Sequence, residues 1–327
     1  MPGGTFSPGE QKIRPGKYIR IANTGGTPDV RTLKGVVAIA FQADWGPLGL
    51  YPGTGNKITE DMVDDLYIGG NTNDLKEVFN GDALYAIPYR VGTGGSKGTL
   101  NFKDTNGAPV DVIKIDAKYV GTITIKITIQ DSLTYATKKE LIVYHDTTEK
   151  QRITFAKGAG EVDALVAAYQ AAGSNWIEIT KLADGNGRMA NVSAQTLAGG
   201  ANPNVVADNY TTAMEALEVK QWNVICLDTD DNSVHTSLKT FVERLFTEGK
   251  RVLGVVGEPT SVAFATRKAN CAAFNSFLFH YVLNGIIRND GTEVEGHRAA
   301  AWMAGKIASM EYNKSLTGYI MTDAIGV

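Results

Sequence analysis

Cysteine is almost absent. Cys226 and Cys271 are the only two in 327 residues, which excludes a disulfide-built scaffold and fits folding in a reducing compartment. No apolar run approaches the ~18 residues of a membrane-spanning helix, so none is expected. The opening Met1-Pro-Gly-Gly-Thr5 has no apolar core of the kind a secretory signal carries. A surplus of positive charge is missing too. Thirty-two Lys and Arg stand against 35 Asp and Glu, a net charge of −3, which speaks against a dedicated nucleic-acid binder. The four histidines, His145, His235, His280 and His297, form no His-x-x-x-His pair and no Cys-x-x-Cys accompanies them, so no zinc site is expected. Apolar residues, by contrast, make up 43% of the chain, enough for a sizeable core in a length that suits two domains. The 36 glycines follow no Gly-X-Y repeat and are left to turns and loops.

Three textures succeed one another. Residues 1–22 open with Pro- and Gly-rich turns and continue into Lys12-Ile-Arg-Pro-Gly-Lys-Tyr-Ile-Arg-Ile-Ala22, which carries four basic residues. Pro15 removes a ladder donor, so a strand here belongs at a sheet edge or in an added position. Either this is a frayed terminus, or it is an arm that pairs with another chain by strand addition. Residues 23–95 read as α/β. Gly35-Val-Val-Ala-Ile-Ala-Phe41 and Ala83-Leu-Tyr-Ala-Ile87 have the pattern of strands buried on both faces. Between them, Thr59–Leu66 and Asn73–Phe79 read as short helices, the second capped by Thr72 or Asn73.

After the glycine-rich Gly92-Thr-Gly-Gly-Ser-Lys-Gly98, which reads as a flexible joint, residues 96–200 turn β-rich. Ile123, Ile125, Ile127 and Ile129 alternate with Thr124, Lys126 and Thr128, placing all four isoleucines on one sheet face. A β-sandwich with one helix (Val162, Leu165, Val166, Tyr169) is expected. Residues 201–327 return to α/β, with helices over Tyr210–Glu218, Val234–Thr247 and Glu293–Ala308, and strands over Trp222–Asp228 and Arg251–Val256. The fold class is thus α/β, with 23–95 and 201–327 forming one split domain, 96–200 a β-sandwich inserted in it, and 1–22 an extended arm.

No chemical motif completes itself. The glycines at 92–98 lack the Gly-Lys-Ser/Thr ending that holds phosphate and magnesium, and they do not fit a dinucleotide fingerprint. Asp228-Thr-Asp-Asp-Asn-Ser233 begins like a calcium loop, but Ser233 and Lys239 stand where Gly and Glu are needed. A strand end followed by a helix cap at Asn232 or Ser233 accounts for it. Asp228, His235 and Ser261 occur in the chain order of a subtilisin triad, with Pro259-Thr-Ser-Val-Ala263 echoing a nucleophile segment. His235 follows Asp228 by only seven residues, and no oxyanion asparagine is assignable. No catalytic, cofactor or metal residue is therefore expected. His280 reads as a helix residue, and Phe274, Phe277, Phe279 and Tyr281 as core.

Taken in order, several stretches resemble the tail sheath proteins of contractile-tailed bacteriophages and phage-like particles. These are Arg14-Pro-Gly-Lys-Tyr-Ile19; Gly35–Ala40 with Asp44-Trp-Gly-Pro47; Gly81-Asp-Ala-Leu-Tyr-Ala-Ile-Pro-Tyr-Arg90; Tyr210–Glu218 with Asn223–Asp228; Lys239–Arg244 with Gly249–Gly257; and Ala301-Trp-Met-Ala-Gly305 with Asn313-Lys-Ser-Leu316. The resemblance implies a non-catalytic, subtilisin-like α/β domain in a virion component assembled in the host cytoplasm. It implies subunits stacked in hexameric rings around a tail tube, meeting baseplate and terminator proteins, and contracting to drive the tube through the host envelope. No direct nucleic-acid contact, membrane insertion or cofactor is implied. The family's arm adds a strand to a neighbour, which by position assigns Lys12, Ile13, Arg14, Lys17, Tyr18, Ile19, Arg20 and Ile21 to the intersubunit contact. A further C-terminal domain, facing the tube, is expected where this sequence stops at Thr322–Val327. Competing readings are a serine hydrolase of subtilisin-like fold and a carbohydrate-binding or adhesin virion protein.

Overall fold

The computed structural model describes residues 35–311, 314 and 316, and the backbone of 324–326. The expected arm, with the strand over 12–21, lies outside the described residues. The first strand, β1 (Val36–Phe41), is buried at every position. Its side chains alternate between two cores: Val37, Ile39 and Phe41 enter one, and Val36, Ala38 and Ala40 the other. A strand covered on both faces has no site for a polar residue, hence its unbroken apolar run. Then come β2 (Gly49–Leu50), a 3₁₀ turn at Glu60–Met62 leading into the single turn α1 (Val63–Leu66), α2 (Thr72–Asn80) and β3 (Tyr85–Arg90). The cap position of α2 is Asn71 rather than Thr72 or Asn73, because Thr72 is already helical and its hydroxyl donates back to the Gly69 carbonyl.

Next come β4 (Thr99–Lys103), β5 (Asp111–Ala117), β6 (Ile125–Asp131), β7 (Lys138–His145), β8 (Thr148–Ala156), α3 (Glu161–Ala172), β9 (Ile177–Lys181) and β10 (Val192–Thr196). They build two antiparallel sheets, ordered β10-β6-β7-β8 and β4-β5-β9, which share one core. Ile125, Ile127 and Ile129 are buried there as the alternation requires, whereas Ile123 precedes the strand and is only partly covered. Helix α3 packs on β8 and β9, one edge strand from each sheet, and closes that side with Val162 and Leu165.

The last stretch carries α4 (Ala207–Glu218), β11 (Val224–Leu227), α5 (Asn232–Thr247), β12 (Leu253–Gly257), α6 (Phe264–Phe274), β13 (Phe279–Val282), β14 (Ile286–Arg288), β15 (Glu293–Val294), α7 (Gly296–Ser309) and β16 (Ala324–Gly326). Its strands β11, β12 and β13 join those of the first stretch in one six-stranded sheet, β13-β12-β11-β1-β3-β2, parallel except for β2, while β14, β15 and β16 pair in a small sheet of their own. His280 therefore sits in a strand, not a helix. Its segment of β-branched and aromatic residues is short enough to pair alongside β12. Helices α2 and α7 cover one face and α4 and α5 the other. The Ala- and Gly-rich centre of α7 lets it approach α2 closely: a Cβ on Gly305 would lie 2.1 Å from the Val78 carbonyl oxygen, and one on Gly81 would lie 2.2 Å from that of Trp302.

The glycine-rich segment after β3 is not a free hinge. Outgoing and returning chains pair with each other across Thr93–Asn204, Ser96–Ala201 and Thr99–Ala198, with backbone bonds of 2.8–3.1 Å in both directions at each step. The glycines let two chains turn while staying paired. The pairing partner lies too far along the sequence for local composition to reveal it.

Candidate functional site

In parallel sheets layered between helices, ligands settle beyond the C-terminal ends of the strands, where the chain order reverses. Here β1 is that point, since β3 lies on one side of it and β11 on the other. The crevice is filled by the protein itself. Asp228, directly after β11, is 2% exposed. It accepts hydrogen bonds from Tyr210 Oη at 2.6 Å, the Gln42 backbone amide at 2.6 Å and Asn71 Nδ2 at 2.9 Å. Gln42 Nε2 in turn donates to Tyr210 Oη at 3.2 Å. Burial pushes the Asp228 carboxyl up to about 6 against these donors, and burial also raises the Tyr210 phenol. Buried polar groups tied in this way hold elements together; this set joins β1, β11, α4 and the turn before α2.

A second polar group lies alongside. His297, in the first turn of α7, binds the carboxylate of Asp74 in α2 through Nδ1. Its backbone amide donates to Asp230 Oδ1 at 2.8 Å. Burial disfavours the imidazolium, but the carboxylates of Asp74 and Asp230 outweigh it and raise His297 above its ordinary value. Farther down α2, Glu77 takes Arg298 at 2.9 Å together with Arg288. These contacts clamp α2 to α7.

The triad candidates stay apart. His235 Nε2 lies 2.7 Å from the Thr229 carbonyl, and Nδ1 has no hydrogen-bond partner among the described residues. The oxygens of Asp228 are committed to Tyr210, Gln42 and Asn71. Ser261 is exposed in the loop after β12. The run from Asp228 to Ser233 forms no cation loop either: Asp231 caps α5 through the Ser233 amide at 2.8 Å, in place of the expected Asn232 or Ser233. No group of three metal-ligating side chains occurs among the described residues, and no helix among them is long and apolar enough to cross a membrane. The network residues Gln42, Asn71, Asp74, Tyr210 and His297 escaped the motif search. One signal did point to Gln42, namely a polar residue immediately after an apolar strand, as in Phe41-Gln42 and Leu227-Asp228; the other four lie on helices or a turn and carry no such mark.

The other built feature is the junction between the two units. Trp45, in the loop after β1, is 1% exposed and packs into the sandwich core. Its ring stacks on Trp176 at 6.0 Å and meets Tyr119 edge-on at 5.2 Å. Arg90, the last residue of β3, is fully buried. Its guanidinium donates to the carbonyls of Ala43 at 2.9 Å, Gly46 at 2.8 Å and Val120 at 2.9 Å. Asn202 bridges Asp44 and the Thr122 amide. Gly121 comes so near that a Cβ there would lie 1.8 Å from the Asp44 carbonyl oxygen. The two units are locked at this seam. Among the aromatics expected in the core, Phe277 is instead 81% exposed.

Two adjoining family descriptions fit this arrangement. The phage tail sheath protein β-sandwich domain matches residues 93–202, and the phage tail sheath protein central domain matches residues 204–327. The chain belongs to the phage tail sheath family. Among relatives of the sheath protein, the uncharacterized protein YqbK of Bacillus subtilis is 26% identical over 97% of this chain. The phage-like element PBSX protein XkdK of the same organism is 27% identical over 97%. The chain spans 65% of the length of each. A crystal structure of a sheath tail protein from Desulfitobacterium hafniense shares the fold at a TM-score of 0.65 and 21% identity, covering 92% of this chain and 64% of that one. A sheath tail protein from Listeria innocua aligns at 0.61 and 22%, covering 86% and 58%.

Proposed function

We propose that this chain is the greater part of a structural subunit of a contractile tail sheath, without catalytic activity. The subunit polymerises in stacked hexameric rings around a tail tube in the virion and contracts to drive the tube through the host envelope. The observation that carries this reading is the pair of sheath-domain matches running from residue 93 to 327, in a fold whose usual ligand crevice is filled by Asp228 and its partners. Residues 23–95 with 201–327 act as one domain of the subtilisin-like kind, 96–200 as the inserted sandwich, and 1–22 as an arm whose Lys12–Ile21 stretch adds a strand to a neighbouring subunit. Main-chain pairing suits a lattice that moves, because it persists while the side-chain contacts between subunits change.

The test is negative-stain microscopy of the whole protein with and without residues 1–22. Tubes are expected from the whole protein and none from the deletion, which stays a folded monomer. Normal tubes from the deletion would refute the arm's role. A serine-directed fluorophosphonate probe is expected to leave Ser261 unlabelled, and labelling lost in Ser261→Ala would favour the hydrolase reading.

A further inference from the structure

The seam between the two units holds buried hydrogen-bond donors that nothing in the fold satisfies. Arg90, fully buried, spends Nε and Nη1 on the carbonyls of Ala43, Gly46 and Val120, but its Nη2 has no partner among the described residues. Burial lowers its pKa to about 10, so the guanidinium is still a cation at neutral pH. Tyr67 Oη and Trp45 Nε1 are likewise without partners among the described residues, and both side chains are 1% exposed. Burial pushes the Tyr67 phenol up, so it keeps its proton. All three side chains stand around Gly46. Trp45 precedes it in the chain. The Gly46 carbonyl accepts from Arg90 Nη1 at 2.8 Å. The Tyr67 ring passes over it, with Cδ1 2.4 Å and Cε1 3.0 Å from the place a Cβ would take. On the sandwich side, Tyr119 meets the Trp45 ring at 5.2 Å, and the adjacent Val120 supplies the other carbonyl that holds Nη1, at 2.9 Å.

A buried donor left unpaired carries its full desolvation cost, the more so when it is charged. Guanidinium and indole nitrogens donate and cannot accept, so the missing partner is an acceptor, and beside a cation a negatively charged one. Asp44 is the carboxylate that acts on Arg90, but its oxygens are engaged by Asn202 Nδ2 at 2.5 Å and the Gly70 amide at 2.9 Å. We propose that the seam around Gly46 binds a small monovalent anion of the size and charge of chloride, held by Arg90 Nη2 and Tyr67 Oη with Trp45 Nε1 as a third donor. Its way in is a cavity of about 480 Å³ whose walls include Tyr51, Lys118 and Tyr119; Tyr51 and Tyr119 are the two phenols that act on Tyr67. Asp61 and Asp65 line the same cavity and repel multiply charged anions, so phosphate and sulfate do not substitute. The bound anion completes the lock between the units and makes its strength depend on the kind of salt present.

Urea denaturation of the full chain in sodium chloride and in sodium gluconate at equal concentration tests this, because gluconate is too large to enter. A site of ~10 mM affinity raises the folded-to-unfolded ratio about tenfold at ~100 mM chloride. Tyr67→Phe keeps the ring and removes one donor. Losing that hydrogen bond weakens the site about tenfold, so the ratio between the two salts is expected to fall to about twofold. Crystals grown in sodium bromide are expected to show an anomalous peak in hydrogen-bond contact with Arg90 Nη2. Equal stability in the two salts overturns the proposal, even beside a bromide peak, which would then mark an adventitious ion only. A salt effect of the same size in Tyr67→Phe overturns it as well, and so does a bromide crystal with only water at Arg90 Nη2.

Discussion

Trp45 belongs to one unit by sequence and to the other by packing: it leaves the end of β1 and stacks on Trp176 at 6.0 Å inside the sandwich core. The side chain acts as a dowel between two cores. Together with Arg90, it makes the orientation of the sandwich a property of the fold rather than of a linker.

Trp45→Ala is expected to cost about 3–5 kcal/mol, the usual range for truncating a buried tryptophan. Because the lost contacts cross the seam, calorimetry of the variant should separate into two transitions where the parent shows one. A single transition with a loss below about 1 kcal/mol would contradict the dowel.

The buried Asp228 makes stability depend on pH. Its folded pKa, about 6, lies above the ~3.9 of an unfolded aspartate. The folded protein therefore holds more protons between those values, and stability falls as pH rises from about 4 to 6, by roughly 2–3 kcal/mol at most. Asp228→Asn keeps an acceptor for Gln42 and Asn71 without the charge. Urea titrations across that window should find the slope gone in the variant.

His297 acts in the next window. Its folded pKa is raised, so the stability it contributes is fully present below about 6.5 and is lost as pH climbs through the folded value. His297→Ala leaves Asp74, 1% exposed, without its cation. A loss of about 3 kcal/mol is expected at pH 6, shrinking toward pH 9. Denaturation midpoints of parent and variant at those two pH values decide it; a difference that stays constant would refute the pairing as its source.

Gly305→Ala should destabilise by about 1–3 kcal/mol, because the new methyl falls on the Val78 carbonyl of the facing helix and backbone must move. Gly107→Ala is the contrast. Nothing lies within 4 Å of its Cβ position, and the change should be neutral or slightly stabilising through the unfolded chain. Thermal melts of the two variants suffice.

Features set by near neighbours were legible in the sequence. The unbroken run Val36–Phe41 and the isoleucine alternation of β6 each record how many faces a strand buries, so composition and period revealed them. The seam was not legible, because Trp45 finds Trp176, and Thr93 finds Asn204, only after the intervening chain has folded. The same holds for the crevice: Asp228 could be placed at a strand end, but Gln42, Asn71 and Tyr210 reach it from three separate segments. The two helix caps were misplaced by one or two residues, where local preferences of similar strength compete, whereas His280 was given to the wrong kind of element, a helix in place of the strand that pairs with β12.

The paired chains at Thr93–Asn204 have one more consequence. The sandwich hangs from two strands lying side by side, and Trp45 and Arg90 pin it independently of both. A single protease cut in either strand would therefore leave it in place. Shedding it would take both cuts and a broken seam.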